Sequence, residues 1–317
     1  MAITITGGVQ LSGGVNIGTG GSGGGGASDG YVSGGESGPG TALNIIHKFS
    51  FSSDSNATDV GNLSSTTTYV SGQSSSENGY ASGGQGSGQY VTSISKFSFA
   101  TNGDASNIGN LSGGLSRQSG QSSSENGYAS GGYTMPGPTS TIQKFPFSSD
   151  TGSSNVANLN TAIANPAGQS SSNHGYSSGG DLNGPRQTAI EKFAFASDGN
   201  GSSIGDLTLS MTESAGQSSN SHGYVSGMKA PEFTDTINKF PFASDSNATD
   251  VGDLTMGRRG ASGQSSSSSG YSSGGVETEF PGLKVNVIDK FPFSSDANAT
   301  DVGDLTVILA HSSGQQG

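Results

Sequence analysis

The chain has 317 residues, of which 55 are glycine, 11% are charged and none is cysteine, and its formal net charge is −12 at pH 7. The absence of cysteine excludes disulfides, zinc thiolate sites and cysteine nucleophiles. The acidic balance argues against a nucleic-acid partner, which requires clustered lysine and arginine, and no apolar run of about 18 residues predicts membrane insertion.

Residues 1–17 form the first predicted element. Apolar residues alternate at short spacing from Ile3 to Ile17, with glycine pairs between them, a pattern that predicts short strands. Such strands cannot bury themselves alone. We therefore interpret 1–17 as a β anchor that adds to a partner's sheet or trimerises; packing along the flank of the remaining chain is the alternative. The start lacks the basic and apolar regions of a secretory signal.

Residues 18–28 are glycine-rich and predict a flexible tether, and residues 29–317 repeat a unit of about forty-eight residues. Each unit reads G-Y-x-S-G-G, a variable stretch, I-x-K-F-x-F, a Ser/Asp/Asn-rich turn, V/I-x-N/D-L, a second variable stretch and G-Q-S-S. The two phenylalanines of I-x-K-F-x-F share one strand face and the isoleucine takes the other, so the strand must be covered on both faces. Four short strands per unit are typical of a propeller blade.

The motif G-Y-V-S-G-G, followed by I-x-K-F-P-F-S-S-D, resembles the kelch repeat over all six units. That resemblance implies a β-propeller. The kelch tryptophan is absent, and its place is taken by Val60, Ile108, Val156, Ile204, Val251 and Val302. The opening ITITGGVQLSGGVNIG is similar to that of Gly/Ser-rich structural proteins of marine phage particles, including cyanophages. This second resemblance implies a virion protein.

The two chain ends carry complementary halves of one unit. The chain stops at S-S-G-Q-Q-G, the start of a segment that Gly30–Gly35 would finish. A closed ring removes free sheet edges. We therefore predict an all-β, six-bladed propeller of four-stranded blades, in which the N- and C-terminal segments share one blade.

Two repeated polar features are candidate ion sites. Six of the eight lysines share one repeat position: Lys48, Lys96, Lys144, Lys192, Lys239 and Lys290. They predict either an anion-binding ring near the axis or ion pairs with aspartates such as Asp150. The turn S-D-x-N-A-T-D offers weak calcium candidates: Asp54, Asp59, Asp245, Asp250, Asp296 and Asp301. Aspartates in such turns more often bond their own backbone, so we predict no metal and no cofactor.

The variable stretches after G-G and before G-Q are the predicted binding loops, because a rigid frame with differing loops commonly places recognition in the loops. Neutral variation is the alternative. The candidate residues are Tyr133, Met135, Arg186, Lys229, Phe233, Arg258, Arg259, Phe280 and Lys284. No nucleophile elbow, phosphate loop or recurring carboxylate pair is found, and the four histidines do not all share one repeat position, so we predict no enzyme.

These observations favour a virion structural protein, made in the host cytoplasm without a signal peptide and displayed as a tail fibre or capsid decoration. We expect it to bind other virion proteins through residues 1–17, to contact the host surface or a host glycan, and to belong to a homo-oligomeric assembly. The alternatives are an extracellular carbohydrate-binding or surface-layer protein and an enzyme built on a propeller.

Overall fold

The computed structural model describes residues 27–38, 40–229, 233–277 and 282–317. The predicted N-terminal anchor and residues 18–26 of the tether lie outside this part of the chain. The described residues form an all-β fold with six four-stranded antiparallel sheets and a two-stranded hairpin, Gln85–Gly86 and Gln89–Tyr90. No helix among them is long and apolar enough to cross a bilayer.

The six sheets are the blades of a propeller, which we number in chain order. Blade 1 contains Ser71–Ser74, Asn78–Ser82, Ser93–Ser98 and Ser106–Asn110. Blade 2 contains Ser119–Ser122, Asn126–Ser130, Thr141–Pro146 and Ser154–Asn158. Blade 3 contains Ala167–Ser170, His174–Ser178, Gln187–Ala194 and Ser202–Met211. Blade 4 contains Ala215–Ser218, His222–Lys229, Phe233–Pro241 and Thr249–Asp253. Blade 5 contains Ser262–Ser265, Ser269–Ser273, Val287–Pro292 and Thr300–Asp304. Blade 6 contains Ser313–Gln316, Asp29–Ser33, Ile45–Ser50 and Thr58–Asn62.

Blade 6 closes the ring with strands from both chain ends, as the sequence predicted. The C-terminal strand Ser313–Gln316 is its first strand and pairs antiparallel with Asp29–Ser33, so that Gln315 lies opposite Tyr31. The backbone N–H groups of Ser28 and Asp29 also donate to the Gly317 carbonyl, at 2.7 and 2.9 Å. The ring therefore has no gap between its first and last blades.

The first strands line the axis, where each contacts the first strand of the next blade around a closed circle. The Gly-Gln pair explains how they fit. A Cβ on any of the six glycines would lie only 2.0–2.3 Å from the carbonyl oxygen of the equivalent glycine in a neighbouring blade. The glutamine side-chain amide then donates to the second-strand tyrosine carbonyl of the next blade, at 2.9–3.3 Å. Close approach requires the glycine, and the glutamine links the blades.

Aromatic side chains fill the space between neighbouring blades. The tyrosine of each second strand stacks on the second phenylalanine of the following blade, with ring centroids 4.6–4.9 Å apart. The valine or isoleucine found near the kelch tryptophan position is the extra residue of a β-bulge in the fourth strand; in blade 6, for example, Gly61 and Asp59 pair with successive residues and Val60 is left over. The bulged residue packs into the same interface, as Val60 does.

One buried polar position differs in every interface. The residue before the repeated lysine is His47, Ser95, Gln143, Glu191, Asn238 or Asp289, and all six are buried. Each accepts a hydrogen bond from the backbone N–H that follows the conserved leucine of the preceding blade, at 2.6–3.4 Å. The donor is the same at every interface, whereas the acceptor changes.

Arg258 belongs to this interior and not to a binding loop, so its prediction as a surface contact was wrong. Arg258 is fully buried, and its place in the other five blade links is taken by the buried residues Thr67, Leu115, Ile163, Met211 and Leu309. Its Nη2 lies 3.1 Å from Asp289, which is equally buried, and donates to the Ser272 carbonyl at 2.8 Å. Burial lowers the pKa of Arg258, and Asp289 opposes that shift.

Candidate functional site

The two ends of the propeller differ in sequence character. Because the strands alternate in direction, the turns between first and second strands and between third and fourth strands lie at one end, which we call the constant face. The other end carries both variable stretches: the loops after G-G and the links that enter the next blade. We call it the variable face. Both variable stretches of every repeat are thus gathered at one end of the molecule.

A ring of six non-identical residues surrounds the axis at the variable face. Its members, three residues before each Gly-Gln glycine, are Tyr69, Arg117, Asn165, Glu213, Gly260 and His311. The backbone N–H of each donates to the carbonyl of the equivalent residue in the preceding blade, at 2.7–3.2 Å, and the six hydrogen bonds close a circle. We call this circle the mouth ring. These backbone hydrogen bonds fix the Cα positions of the six residues, although their side chains differ.

The mouth ring holds large side chains in an unfavourable backbone conformation. All six residues have φ between 53° and 66°, in the left-handed region. For residues other than glycine this conformation costs roughly 1–2 kcal/mol each. Gly260 shows that glycine satisfies the backbone requirement at this position. Tyrosine, arginine, glutamate and histidine are therefore kept at a cost to stability, which is typical of functional positions.

A cavity of about 90 Å³ opens at the mouth ring and is lined by its six residues and the residue that follows each. Below it, the channel between the first strands has a volume of about 140 Å³ and is lined mainly by serine, glycine and glutamine. The mouth is thus a small polar cup with charged and aromatic walls.

His311 is the centre of a charged cluster in one wall of the cup. Its Nε2 lies 3.1 Å from Glu213 and its Nδ1 3.3 Å from Glu36. Burial alone would lower the pKa of His311, but hydrogen bonds from the imidazole to both carboxylates raise it overall. Burial would likewise raise the pKa of Glu213, but His311 and Arg259 lower it to about 2. The two carboxylates therefore favour the imidazolium form of His311.

The adjoining wall is aromatic and contains Arg117. The guanidinium carbon of Arg117 lies 4.6 Å from the centroid of the Tyr69 ring and 5.7 Å from that of Tyr133. The Tyr69 ring also stacks on His311 at 4.2 Å, and Tyr90 meets Tyr133 edge-on at 6.4 Å. Such contacts orient a guanidinium without neutralising it. Burial and the nearby Glu213 raise the pKa of Tyr69 to about 12, so its hydroxyl stays neutral at pH 7.

The six repeated lysines lie on the third strands, away from the residues that line the channel. Five pair with an aspartate of the following blade at 2.5–2.9 Å: Lys96–Asp150, Lys144–Asp198, Lys192–Asp245, Lys239–Asp296 and Lys290–Asp54. Lys48 pairs with Asp29 in its own blade at 3.3 Å, because the equivalent turn residue in blade 1 is Asn102. The ion-pair alternative describes their contacts, and anion binding by these lysines stays a prediction.

The weak calcium candidates also have protein partners. Asp54, Asp245 and Asp296 are the lysine partners above. Asp59, Asp250 and Asp301 each accept a hydrogen bond from the backbone N–H two residues on, at 3.1–3.2 Å. Within the described part of the chain no group of three or more acidic, histidine or cysteine side chains is placed to hold a metal. Calcium binding stays a prediction.

The predicted loop residues are spread over the variable face. Tyr133 reaches the mouth through Arg117, Arg259 pairs with Glu213, and Lys284 pairs with Glu36 at 3.2 Å. Phe233 lies under the Arg259 guanidinium, 5.7 Å from its carbon. Met135 is 82% exposed at a loop tip, and Arg186 is half-buried on another loop. Phe280 and the side chain of Lys229 lie outside what the structure describes.

Sequence reasoning missed the mouth ring. Five of its residues were absent from the candidates, and His311 was set aside because the histidines do not share a repeat position. A usable signal was present: a position at fixed distance from the invariant Gly-Gln that holds a different residue in every unit. No protein-family model matches this chain, and no curated protein matches it either. The six-bladed architecture is consistent with a kelch-like propeller. This likeness concerns the fold only.

Proposed function

We propose that this protein is a non-enzymatic recognition protein of a virus particle, displayed as a tail, fibre or capsid decoration, which contacts the host surface or another virion protein through its variable face. The observation that carries the proposal is the separation of the two faces. Inter-blade differences, the mouth ring and the exposed Met135 lie at one end, and the repeated turns lie at the other.

The attachment point supports display. Ser28 is held at the constant face, where its N–H donates to the Gly317 carbonyl at 2.7 Å and its carbonyl accepts from Phe51 at 2.9 Å. Residues 1–26 therefore join the propeller opposite the variable face. An anchor at the N-terminus would leave the variable face pointing away from the particle.

A carbohydrate-binding protein of another extracellular setting is the second candidate. The grouping of Tyr69, Tyr90, Tyr133 and Arg117 at the mouth favours it, because half-exposed aromatic rings beside a hydrogen-bonding cation suit the apolar faces and hydroxyls of sugars. Both candidates use the variable face as the binding surface. They differ in whether the propeller is attached to a virus particle or belongs to another extracellular setting.

Mass spectrometry of purified particles from cultures that carry this coding sequence tests the particle assignment; we expect the full chain at a fixed ratio to the capsid protein. Its absence from the particles would contradict that assignment and leave the second candidate.

The chain has no cysteine, so one introduced thiol tests the face. We expect a polymer coupled to Met135→Cys, on the variable face, to block adsorption of the full chain to host cells. The same polymer on Ser53→Cys, in an exposed turn of the constant face, serves as the matched control and should leave adsorption unchanged. Equal blocking by both would refute the proposed contact face.

A further inference from the structure

The cations of the variable face differ in whether they have a partner. Arg258 pairs with Asp289, Arg259 with Glu213 and Lys284 with Glu36. Arg117 has no carboxylate within ion-pairing distance among the described residues, although it lines the cavity at the mouth ring. The Arg117 side chain is half-buried, and its guanidinium carbon lies over two tyrosine rings. A guanidinium held in this way presents a planar fork of donors to whatever enters the cavity.

Charge around the cavity favours an anion. Arg259 and His311 share the carboxylate of Glu213, and Glu36 is paired with Lys284 and with His311. The Asp181 carboxylate accepts a hydrogen bond from the mouth-ring residue Asn165 at 2.9 Å. Among the described residues, Arg117 is therefore the cation at the mouth that no carboxylate neutralises, on a protein whose net charge is −12. A ligand carboxylate would bind Arg117 through two parallel hydrogen bonds.

The size of the cavity restricts what enters it. A cavity of about 90 Å³ is smaller than the roughly 300–1,000 Å³ of a typical ligand pocket, so it admits one functional group of a larger ligand. The rest of the ligand must lie over the variable face, where the half-buried rings of Tyr90 and Tyr133 form the rim. Such rings offer a flat apolar surface on which the C–H face of a pyranose can stack.

We infer that the mouth ring binds a hexuronic acid residue of an acidic polysaccharide. Arg117 binds the carboxylate, and Tyr133 stacks on the sugar ring. The inference rests on the proposed function, since it names the ligand class of the variable face. It explains why an arginine is kept at Arg117 in the left-handed conformation, although glycine at the equivalent Gly260 adopts this conformation without strain.

Calorimetric titration of the full chain with a tetrasaccharide of galacturonic acid tests this inference. We expect saturable binding that is lost with the fully methyl-esterified tetrasaccharide, which keeps the ring shape and removes the charge. Arg117→Gln should weaken binding by at least about tenfold, because charge-assisted hydrogen bonds are lost. Arg117→Lys, which keeps the charge without the planar fork, should weaken it less.

Glu125→Gln is the matched control, because Glu125 lies in an exposed turn of the constant face and does not line the cavity; its binding should equal that of the parent. Thermal unfolding of each variant verifies that the propeller is intact. Equal binding of the methyl ester, equal loss in both glutamine variants, or no saturable binding would overturn the inference. A tetrapeptide with a free C-terminal carboxylate that competes as strongly as the tetrasaccharide would overturn the sugar assignment. None of these outcomes affects the particle and face-blocking experiments, which stand apart.

Discussion

At the constant face, neighbouring blades repeat one ion pair, from a third-strand lysine to an aspartate of the next blade, as Lys144 does with Asp198 at 2.6 Å. At the variable face, six equivalent positions hold six different residues on one circle of backbone hydrogen bonds. Both faces are built by the same strands. The comparison shows two kinds of position. Residues that the packing between blades requires are repeated, and residues that the fold tolerates without requiring them vary from blade to blade.

The interior contains both kinds of position, and Arg258 offers the largest expected effect. Met211 and Asn238, which we call the blade 4 pair, occupy at the interface of blades 3 and 4 the places that Arg258 and Asp289 occupy at the interface of blades 4 and 5. Arg258→Met leaves Asp289 buried without its cation, which should lower the free energy of unfolding by about 3–5 kcal/mol. The double variant Arg258→Met/Asp289→Asn copies the blade 4 pair, and we expect it to be at least as stable as the parent.

Urea unfolding of both variants measures this difference. A double variant as unstable as Arg258→Met alone would show that the two blade interfaces are not interchangeable and that the buried pair is needed for more than its charge balance.

The axial glycines test the repeated part of the frame. A Cβ at Gly120 would lie 2.1 Å from the Gly72 carbonyl oxygen, a rigid backbone atom. Gly120→Ala should therefore cost about 3 kcal/mol, the upper end of the range for overpacking. Gly137, on a variable loop with nothing within 4 Å of its Cβ position, is the control, and Gly137→Ala should change the midpoint of thermal unfolding little. Equal midpoints for the two variants would contradict a close-packed axis.

These glycines show how much of the fold could be predicted from sequence. Gly-Gln, Gly-Tyr and Lys-Phe recur because each answers a packing requirement that is the same in six interfaces. Their spacing was therefore enough to predict blade number, strand number and the shared closing blade.

The site could not be predicted in the same way. Tyr69 and His311 meet only because their links converge on the axis, and a repeat alignment contains no distances across the ring. Arg258 misled for a related reason: its neighbour Arg259 lies in the variable link, and only the structure separates the buried residue of that pair from the surface one.

His47 makes one variable interior position sensitive to pH. Its Nδ1 accepts from the Thr306 hydroxyl at 3.1 Å, between blades 5 and 6, and burial lowers its pKa from 6.5 to about 4. Because the folded pKa lies below the unfolded value, the unfolded chain binds the proton first. The contribution of neutral His47 is thus complete above pH 6.5 and is lost as the pH falls through 4, by about 3 kcal/mol at most at ~1.4 kcal/mol per pKa unit.

His47→Gln places at this interface the residue that blade 2 uses, Gln143. We expect the parent to lose about 2 kcal/mol more than this variant between pH 7 and pH 5, measured by urea unfolding at each pH. Subtracting the variant removes the contribution of the carboxylates and of His311, which are common to both. Parallel pH profiles would mean that His47 is not the group that titrates.

The smallest effect concerns the one break in the constant face. Asn102 stands where the other interfaces have an aspartate, and Lys48 turns instead to Asp29 at 3.3 Å. Asn102 has φ of 51° and Asp198, its equivalent two blades on, has φ of 48°, so Asn102→Asp needs no change of backbone. It should supply the sixth inter-blade pair and stabilise the protein by about 0.2–1 kcal/mol, since the pair is partly exposed. Thermal unfolding at low and high salt measures the gain, which should shrink as salt screens the charges. A gain that salt leaves untouched would point to the turn backbone as its source, and a loss would mean that the nearby Asp104 repels the new carboxylate more strongly than Lys48 attracts it.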